Sequence, residues 1–254
     1  KKIVILKKGK KFNKFTKKKI SCLILLHLFG HAAKVDEIKK ITNKYKIPLL
    51  EDAAEALGSF FKKKHLGTFG DIGILSFNGN KIITTGGGGA ILTRNKNLAK
   101  RIKFLTTTAK IPHQWKYEYS DVGYNYRLPG INAALGCSQL LKLKKYIILK
   151  RKLFQIYNKN FSKNNSFKIF KEPKNSKSNY WLQTLMLKKK SIVLRNKLTE
   201  FSNKKGFSTR PVWKVLHKLK HFKNCPKMNL KVTEDLEVQI INLPSSSYLA
   251  THKF

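Results

Sequence analysis

Acidic residues are scarce in this sequence: 13 Asp and Glu stand against 54 Lys and Arg among 254 residues, a formal charge of +41. If that charge were functional, so basic a chain would bind nucleic acid or an anionic membrane surface. Arginine, however, is scarce too. Only Arg94, Arg101, Arg127, Arg151, Arg195 and Arg210 are present, and the other 48 cations are lysines scattered among Asn, Ile and Phe. Nucleic-acid readers lean on arginine for bidentate and stacking contacts, so the charge reads as compositional and no nucleic-acid partner is expected. Cysteine is nearly missing as well. Cys22, Cys137 and Cys225 are odd in number, widely spaced and outside any CxxC or Cys/His cluster, so neither a disulfide framework nor a zinc site is supported, no metal is expected, and a reduced cytoplasmic compartment is the simplest reading. No apolar run approaches the ~20 residues that a bilayer span needs, so no membrane partner is expected.

What the chain does have is alternation. Lys1 to Lys19 holds one short apolar run (Ile3 to Leu6), then a basic stretch with Gly9. Ile20 to Leu28 follows; its basic flank and apolar body have the outline of a signal peptide. A buried strand is the better reading, because Val35, Ile38, Ile41 and Tyr45 then recur at helical spacing. Ile47 to Leu50 is the next strand, closed by Glu51 and Asp52, and Ala53 to Leu57 reads as a short helical turn. Ile72 to Phe77 and Ala90 to Thr93 are strands on either side of a glycine run, and Asn97 to Leu105 is a helix. Thr106 to Gly130 has no period and is too long for an idle loop.

A long helix from Ile131 to about Phe161 carries the chain onward. Phe167 to Phe170 and Tyr180 to Leu187 read as strands, Ser191 to Lys204 as a helix closed by Gly206, and Phe207 to Pro211 as strand-like. The expected fold class is α/β: a large domain at 1–145 with a mixed, mainly parallel sheet, and a smaller α+β domain at 146–254.

Chemistry concentrates between Glu51 and Gly89. In open α/β sheets, ligands sit beyond the carboxyl ends of the strands. Asp52 ends one such strand, and Ser76 and Lys81 end the next. A lysine amine condenses with an aldehyde, a carboxylate keeps a pyridine nitrogen protonated, and serine with glycine N–H groups can hold a phosphate. Each part alone is weak: Asp52 could be a helix N-cap, and Lys81 is one lysine of 48. The glycines form neither a Walker loop nor GxGxxG.

The segments EDAAEALGS, GTFGDIGILSFNGNKIITTGGGGAILT and DVGYNYRLPGINAALGCSQL, with HLFGH, TRPVWKVLHKL and INLPSS, resemble the pyridoxal-phosphate-dependent nucleotide-sugar aminotransferases, the DegT/StrS-like group. That group has the fold of type I aspartate aminotransferases. The resemblance runs from about Leu23 to Leu243. It implies pyridoxal 5'-phosphate as cofactor and Lys81 as the lysine that forms its Schiff base and moves the proton. It further implies Asp52 against the pyridine nitrogen, Glu55 near the ring hydroxyl, where a Gln or His is usual, and Ser76 on the phosphate. Asn125 would reach the phosphate in a neighbouring subunit, making a homodimer the working unit. Arg210 and His217 would lie toward the sugar nucleotide. Lys1 to Lys19 matches nothing in the family's opening, so the large domain is expected to be incomplete at its amino end.

The implied activity is transfer of an amino group, with glutamate as donor, to a nucleotide-linked 4-keto-6-deoxy sugar in surface-glycan synthesis. Three alternatives stand beside it. One is a catalytically impaired fragment. Another is a dehydratase relative, which would carry histidine at the place of Lys81. The third is a non-enzymatic protein that binds polyanions through its lysines. Whatever its function, a chain of this charge repels itself, and the repulsion is screened by salt. The thermal midpoint should rise by about 2–4 °C between roughly 0.05 and 0.5 M sodium chloride, read by circular dichroism.

Overall fold

The computed structural model describes residues 4–7 and 10–251. The first residue of the Ile3 to Leu6 run, and Gly9, lie outside them. The chain forms two compact units, Cys22–Lys144 with Asn175–Ser178, and Lys1–Ser21 with Lys145–Lys174 and Asn179–Phe254. This differs from a contiguous split into 1–145 and 146–254. The amino-terminal stretch groups with the second unit, and Asn175–Ser178 returns to the first. The return has a local cause: Ser176–Lys177 pairs antiparallel with Phe60–Phe61, and Ser178 Oγ donates to the Gly30 carbonyl at 2.9 Å.

The first unit is built on a four-stranded sheet. Leu23–Leu26, Leu49–Asp52 and Ile72–Ser76 run parallel, and Gly89–Leu92 joins the last of them antiparallel. Helix α1 (Val35–Tyr45) connects the first two strands. Asp36 and Glu37 in its first turn complement the helix dipole, and it stops where Lys46 turns left-handed at φ 47°. Helix α2 (Lys96–Thr106) follows the edge strand and is capped by Asn95, whose side chain accepts the N–H groups of Asn97 and Leu98.

Side chains alternate between the two faces of a strand, and the strand register aligns the faces. Leu25, Leu49, Glu51, Gly73, Leu75, Ala90 and Leu92 share one face, which packs on Ala32, Val35, Ala53, Ala56, Phe61 and Leu66. The opposite face carries Ile24, Leu26, Leu50, Ile72, Ile74 and Ile91 together with Asp52 and Ser76. Ile24 is 66% exposed, Leu26 44% and Ile91 46%, so this second face is only partly covered.

An acid on the core face organises the rest. Glu51 is fully buried, and its carboxylate accepts from His27 Nε2 (2.9 Å), Gly67 N (2.9 Å), Phe69 N (2.6 Å) and Gly70 N. His27 Nδ1 in turn accepts the Ala33 N–H at 3.2 Å, so the ring proton sits on Nε2 and faces the acid. The loop it grips lies directly on the sheet. A Cβ on Gly73 would fall 1.9 Å from the Gly67 carbonyl oxygen, which makes glycine obligatory there.

Ala53 to Leu57 is not helical. The segment makes two successive turns, closed by Ala56 N to Ala53 O and Ser59 N to Ala56 O, and Gly58 (φ 76°) bends the chain away.

The second unit is an α+β fold, and it is as long as the first rather than smaller. Its antiparallel sheet has the order Phe167–Ile169, Gln183–Leu187, Ile240–Leu243, Arg210–Pro211. Ile169, Leu185, Leu187 and Ile241 pack on Phe154, Tyr157 and Phe161 of helix α3 (Gly130–Phe161) and on Leu198 of helix α4 (Ile192–Lys204). Ser191 caps α4 through the Leu194 N–H, and helix α5 (Lys231–Gln239) leads into the Ile240–Leu243 strand.

Burial pushes the Glu51 carboxyl up, but the hydrogen bonds from His27, Gly70 and Gly67 together hold it below the usual carboxylate range. A depressed carboxylate contributes stability that is present above its unfolded value and lost as pH falls through the folded one. Glu51→Ala should therefore cost roughly 3–5 kcal/mol at pH 7, because it orphans His27 and three backbone donors. In urea titrations the gap to the parent should close as pH drops toward 4. A gap that persists at low pH would separate the loss from ionisation.

Candidate active site

Lys81 sits in a loop pinned on both sides. The Phe77 carbonyl accepts from Thr84 Oγ1 and Thr85 N, both at 3.0 Å, and the Phe77 N–H donates to Gly88 O at 3.0 Å. Lys81 N closes a tight turn onto Asn78 O at 3.0 Å, while the next two residues, Ile82 and Ile83, are buried and draw the loop down. Gly86 and Gly88 take left-handed φ values of 79° and 97° on the return. The Lys81 side chain is consequently only 13% exposed, and its Nζ lies 4.0 Å from Glu55 Oε1.

Glu55 reaches the site from the turns that replace the expected helix. Its side chain is 10% exposed, and Oε2 accepts the Phe29 N–H at 2.6 Å. Phe29 is buried with φ 57°, a strained backbone for a non-glycine residue, at the exit of the first strand. Burial pushes the Glu55 carboxyl up. The Phe29 hydrogen bond and the Lys81 charge oppose this, Asp52 adds to it, and the net direction is upward.

Asp52 stands apart electrostatically. Of the 13 acids, 12 lie within 4.0 Å of a basic nitrogen; among the described residues Asp52 alone has no such partner. Its Oδ1 accepts Ala54 N at 3.1 Å, and Oδ2 has no hydrogen bond among the described residues. Ser76 Oγ accepts Asn78 N at 3.3 Å and keeps its own proton available. An uncompensated carboxylate, a shielded amine and a free hydroxyl thus converge at the carboxyl ends of adjacent strands. That donor set fits a cationic heterocycle carrying an aldehyde and a phosphate.

The structure brings together Asp52, Glu55, Ser76 and Lys81. Asn125 stands on a different segment of the same unit. Asn125 is exposed, bridged in antiparallel fashion to Thr107 in the Thr106–Gly130 segment. Arg210 and His217 belong to the second unit. Arg210 is exposed, and His217 Nε2 is 2.8 Å from Glu234 Oε1. Sequence reasoning missed His27 and Glu51, the pair beneath the site. An acid at an inward position of an apolar strand was the available signal.

A model of the DegT/DnrJ/EryC1/StrS aminotransferase family matches residues 9–254. The match begins inside the basic stretch for which sequence reading finds no counterpart. Among curated relatives, the GDP-perosamine synthase of Escherichia coli O157:H7 is 34% identical over 237 residues, 92% of this chain and 63% of that protein. The UDP-4-amino-4,6-dideoxy-N-acetyl-beta-L-altrosamine transaminase of Campylobacter jejuni is 32% identical over 205 residues, 80% of this chain and 54% of that one. Among solved structures, Helicobacter pylori PseC, an aminotransferase involved in the biosynthesis of pseudoaminic acid, superposes with a TM-score of 0.84 at 25% identity. The superposition covers 90% of this chain and 62% of PseC. The chain thus spans between 54% and 63% of the length of these relatives.

A raised carboxyl favours the folded state below its ordinary value and loses that advantage as pH rises through the folded one. Ionised Glu55 therefore costs stability near neutrality. Glu55→Gln should raise the thermal midpoint of the cofactor-free chain by about 1–4 °C at pH 7.5 and leave it unchanged near pH 4. A lower midpoint at pH 7.5 would show that the Lys81 pairing outweighs burial.

Proposed function

The chain belongs to the DegT/DnrJ/EryC1/StrS aminotransferase family, and from this we propose that it is a pyridoxal-phosphate-dependent aminotransferase acting on a nucleotide-linked 4-keto-6-deoxy sugar. Glutamate would be the amino donor, surface-glycan synthesis the pathway and the cytoplasm the location. Among the described residues no helix is long and apolar enough to cross a membrane. The observation that carries the reading is the pairing pattern: the one acid without a cation among the described residues stands at the same strand ends as a shielded lysine.

Bound pyridoxal phosphate supplies an aldehyde for a primary amine and a protonated ring that draws electrons from the reacting carbon. The roles of the protein follow from its geometry. Asp52 would hold a proton on the ring nitrogen through Oδ2, the oxygen without a hydrogen bond among the described residues. Lys81 Nζ, delivered by a pinned loop, would bind the aldehyde and hold or move the proton at the reacting carbon. Glu55 occupies a place where the family usually has a neutral group, and burial pushes it toward its neutral form. Ser76 would donate to the phosphate.

The homodimer and the role of Asn125 are part of the same proposal. Support comes from the residues flanking Asn125 in the chain, where Val122 is 77% exposed, Tyr124 52% and Tyr126 72%. Apolar exposure on that scale marks an interaction surface, and a second copy would bring Asn125 to its neighbour's phosphate. Arg210 and His217 would face the sugar nucleotide. The same reading assigns the first unit to the cofactor and the second to the substrate. A dehydratase reading is disfavoured because Lys81 is present.

Reductive trapping tests this reading. With pyridoxal phosphate and borohydride, peptide mapping should find the phosphopyridoxyl group concentrated on Lys81, and Lys81→Ala should lose at least about 90% of it while folding normally. Label spread evenly over the lysines would sink the assignment and favour a general polyanion binder.

A further inference from the structure

The turns that carry Glu55 are tied down from outside the site. Gly58 is buried and bends the chain at φ 76°, and its N–H has no backbone acceptor among the described residues. His65 Nε2 accepts that N–H instead, at 2.8 Å. A second tie, Leu66 N to Ser59 O at 3.0 Å, lies beside it. Of the two, only the first can be switched by a proton, because its acceptor is an imidazole nitrogen.

The ring is held in place by a strained hairpin. Phe60–Phe61 pairs antiparallel with Lys64–His65, and the Phe60 ring meets His65 edge to face with centroids 5.3 Å apart. Lys62 and Lys63, at the bend, take left-handed φ values of 47° and 63°, where Asn and Gly are usual. Such strain persists only where the surroundings enforce it. Here Lys62 N donates to Asn175 O at 2.9 Å, and Lys62 Nζ reaches Asp36 Oδ2 at 2.7 Å.

Short links lead from this tie to the site. Ser59 N closes onto Ala56 O, Ala56 N onto Ala53 O, and Ala54 N onto Asp52 Oδ1. The far end of a run that includes Glu55 and adjoins Asp52 is thus anchored at Gly58.

Because Nε2 accepts, the proton of the neutral His65 ring resides on Nδ1. A second proton would set a donor against the Gly58 N–H and leave both unmet. Burial pushes the ring below the ordinary histidine value and His27 adds to this. The hydrogen bond with the Leu66 backbone and the Glu51 carboxylate oppose it, and the net direction is downward. The adjacent Lys64 ammonium lies 4.5 Å from the Phe69 ring centroid. A lowered histidine contributes stability that is present above its unfolded value and lost as pH falls through the folded one.

We propose that His65 is a positioning residue for the Lys81 site and makes that site acid-sensitive: the neutral ring fixes the turns that bear Glu55, and the protonated ring releases them. The purpose of the site rests on the aminotransferase reading above, whereas the clasp itself is a property of the cofactor-free chain.

Amide hydrogen exchange on the cofactor-free full chain, followed by mass spectrometry and corrected for the intrinsic effect of pH, tests the clasp. At pH 7.5, residues 53–59 should be equally protected, within about twofold, in the parent and in His65→Gln, whose side chain can accept the same N–H without titrating. At pH 5 the parent should exchange about tenfold faster than His65→Gln, the worth of one ordinary hydrogen bond. Glu51 and Glu55 are present in both chains, so the comparison isolates His65. His65→Leu, which has no acceptor, should show the faster exchange at both pH values. Trapping of pyridoxal phosphate on Lys81 at pH 7.5 should fall at least about threefold in His65→Leu and recover in His65→Gln.

Equal exchange in the parent and His65→Gln at pH 5, or parent-like protection in His65→Leu, would overturn the clasp. Faster exchange in His65→Leu with trapping intact would overturn the positioning role. If His65→Leu does not fold, the pH 5 comparison decides by itself. A parent chain that shows the clasp but traps nothing on Lys81 removes the aminotransferase reading and leaves the clasp standing.

Discussion

A carboxylate with no access to water is the constraint on which the first unit depends. Glu51 can remain ionised in the core only because His27 and three consecutive-loop amides converge on it. Meeting that demand fixes much else. It ties the first strand, through His27, to the second, and it lays the Gly67–Gly70 loop on the sheet ahead of the strand that ends in Ser76. Alternation along Leu49–Asp52 then leaves Asp52 no choice but the other face. A one-residue slip would exchange the two acids, sending the working carboxylate inward and the structural one out. The core therefore decides where the chemistry stands.

Much of this was readable from the chain because the decisive residues are local. Asp52, Glu55, Ser76 and Lys81 lie within thirty positions at strand ends, where order and spacing alone bring them close. Strand ends moved by up to three residues: Ile20 to Leu28 is trimmed to Leu23–Leu26, whereas Ile47 to Leu50 moves on to Leu49–Asp52. The turn at Ala53 to Leu57 was misread. Its alanines favour a helix, but Glu55 is drawn to the Phe29 backbone and Gly58 adopts φ 76°, so tertiary contacts overrule propensity. The return of Asn175–Ser178 to the first unit could not have been foreseen, because pairing between Ser176–Lys177 and Phe60–Phe61 leaves no periodic trace in two-residue strands.

Scarcity of acids proved more informative than excess of lysine. In a chain with 48 lysines an individual lysine carries little signal, whereas each acid attracts a cation almost by mass action. Twelve do so, through contacts ranging from the buried His27–Glu51 pair to exposed ones such as Lys204–Glu200. Most exposed pairs of this kind contribute little to stability. Their value here is as a background against which the thirteenth stands out. Among the described residues Asp52 remains without a cation although lysines are everywhere, so the fold holds those lysines away from it.

The partly covered face of the four-stranded sheet sets the strength of that lone charge. Ile24, Leu26 and Ile91 share their face with Asp52, so whatever covers the aliphatic side chains also dries the space around the carboxylate. Parallel sheets are ordinarily sheathed on both faces. Wetting and electrostatics are thus one variable at this surface. Water over the isoleucines keeps the local dielectric high and the hold of Asp52 on a cationic ring weak. An apolar covering would lower the dielectric and tighten that grip several-fold without moving a single atom of the acid.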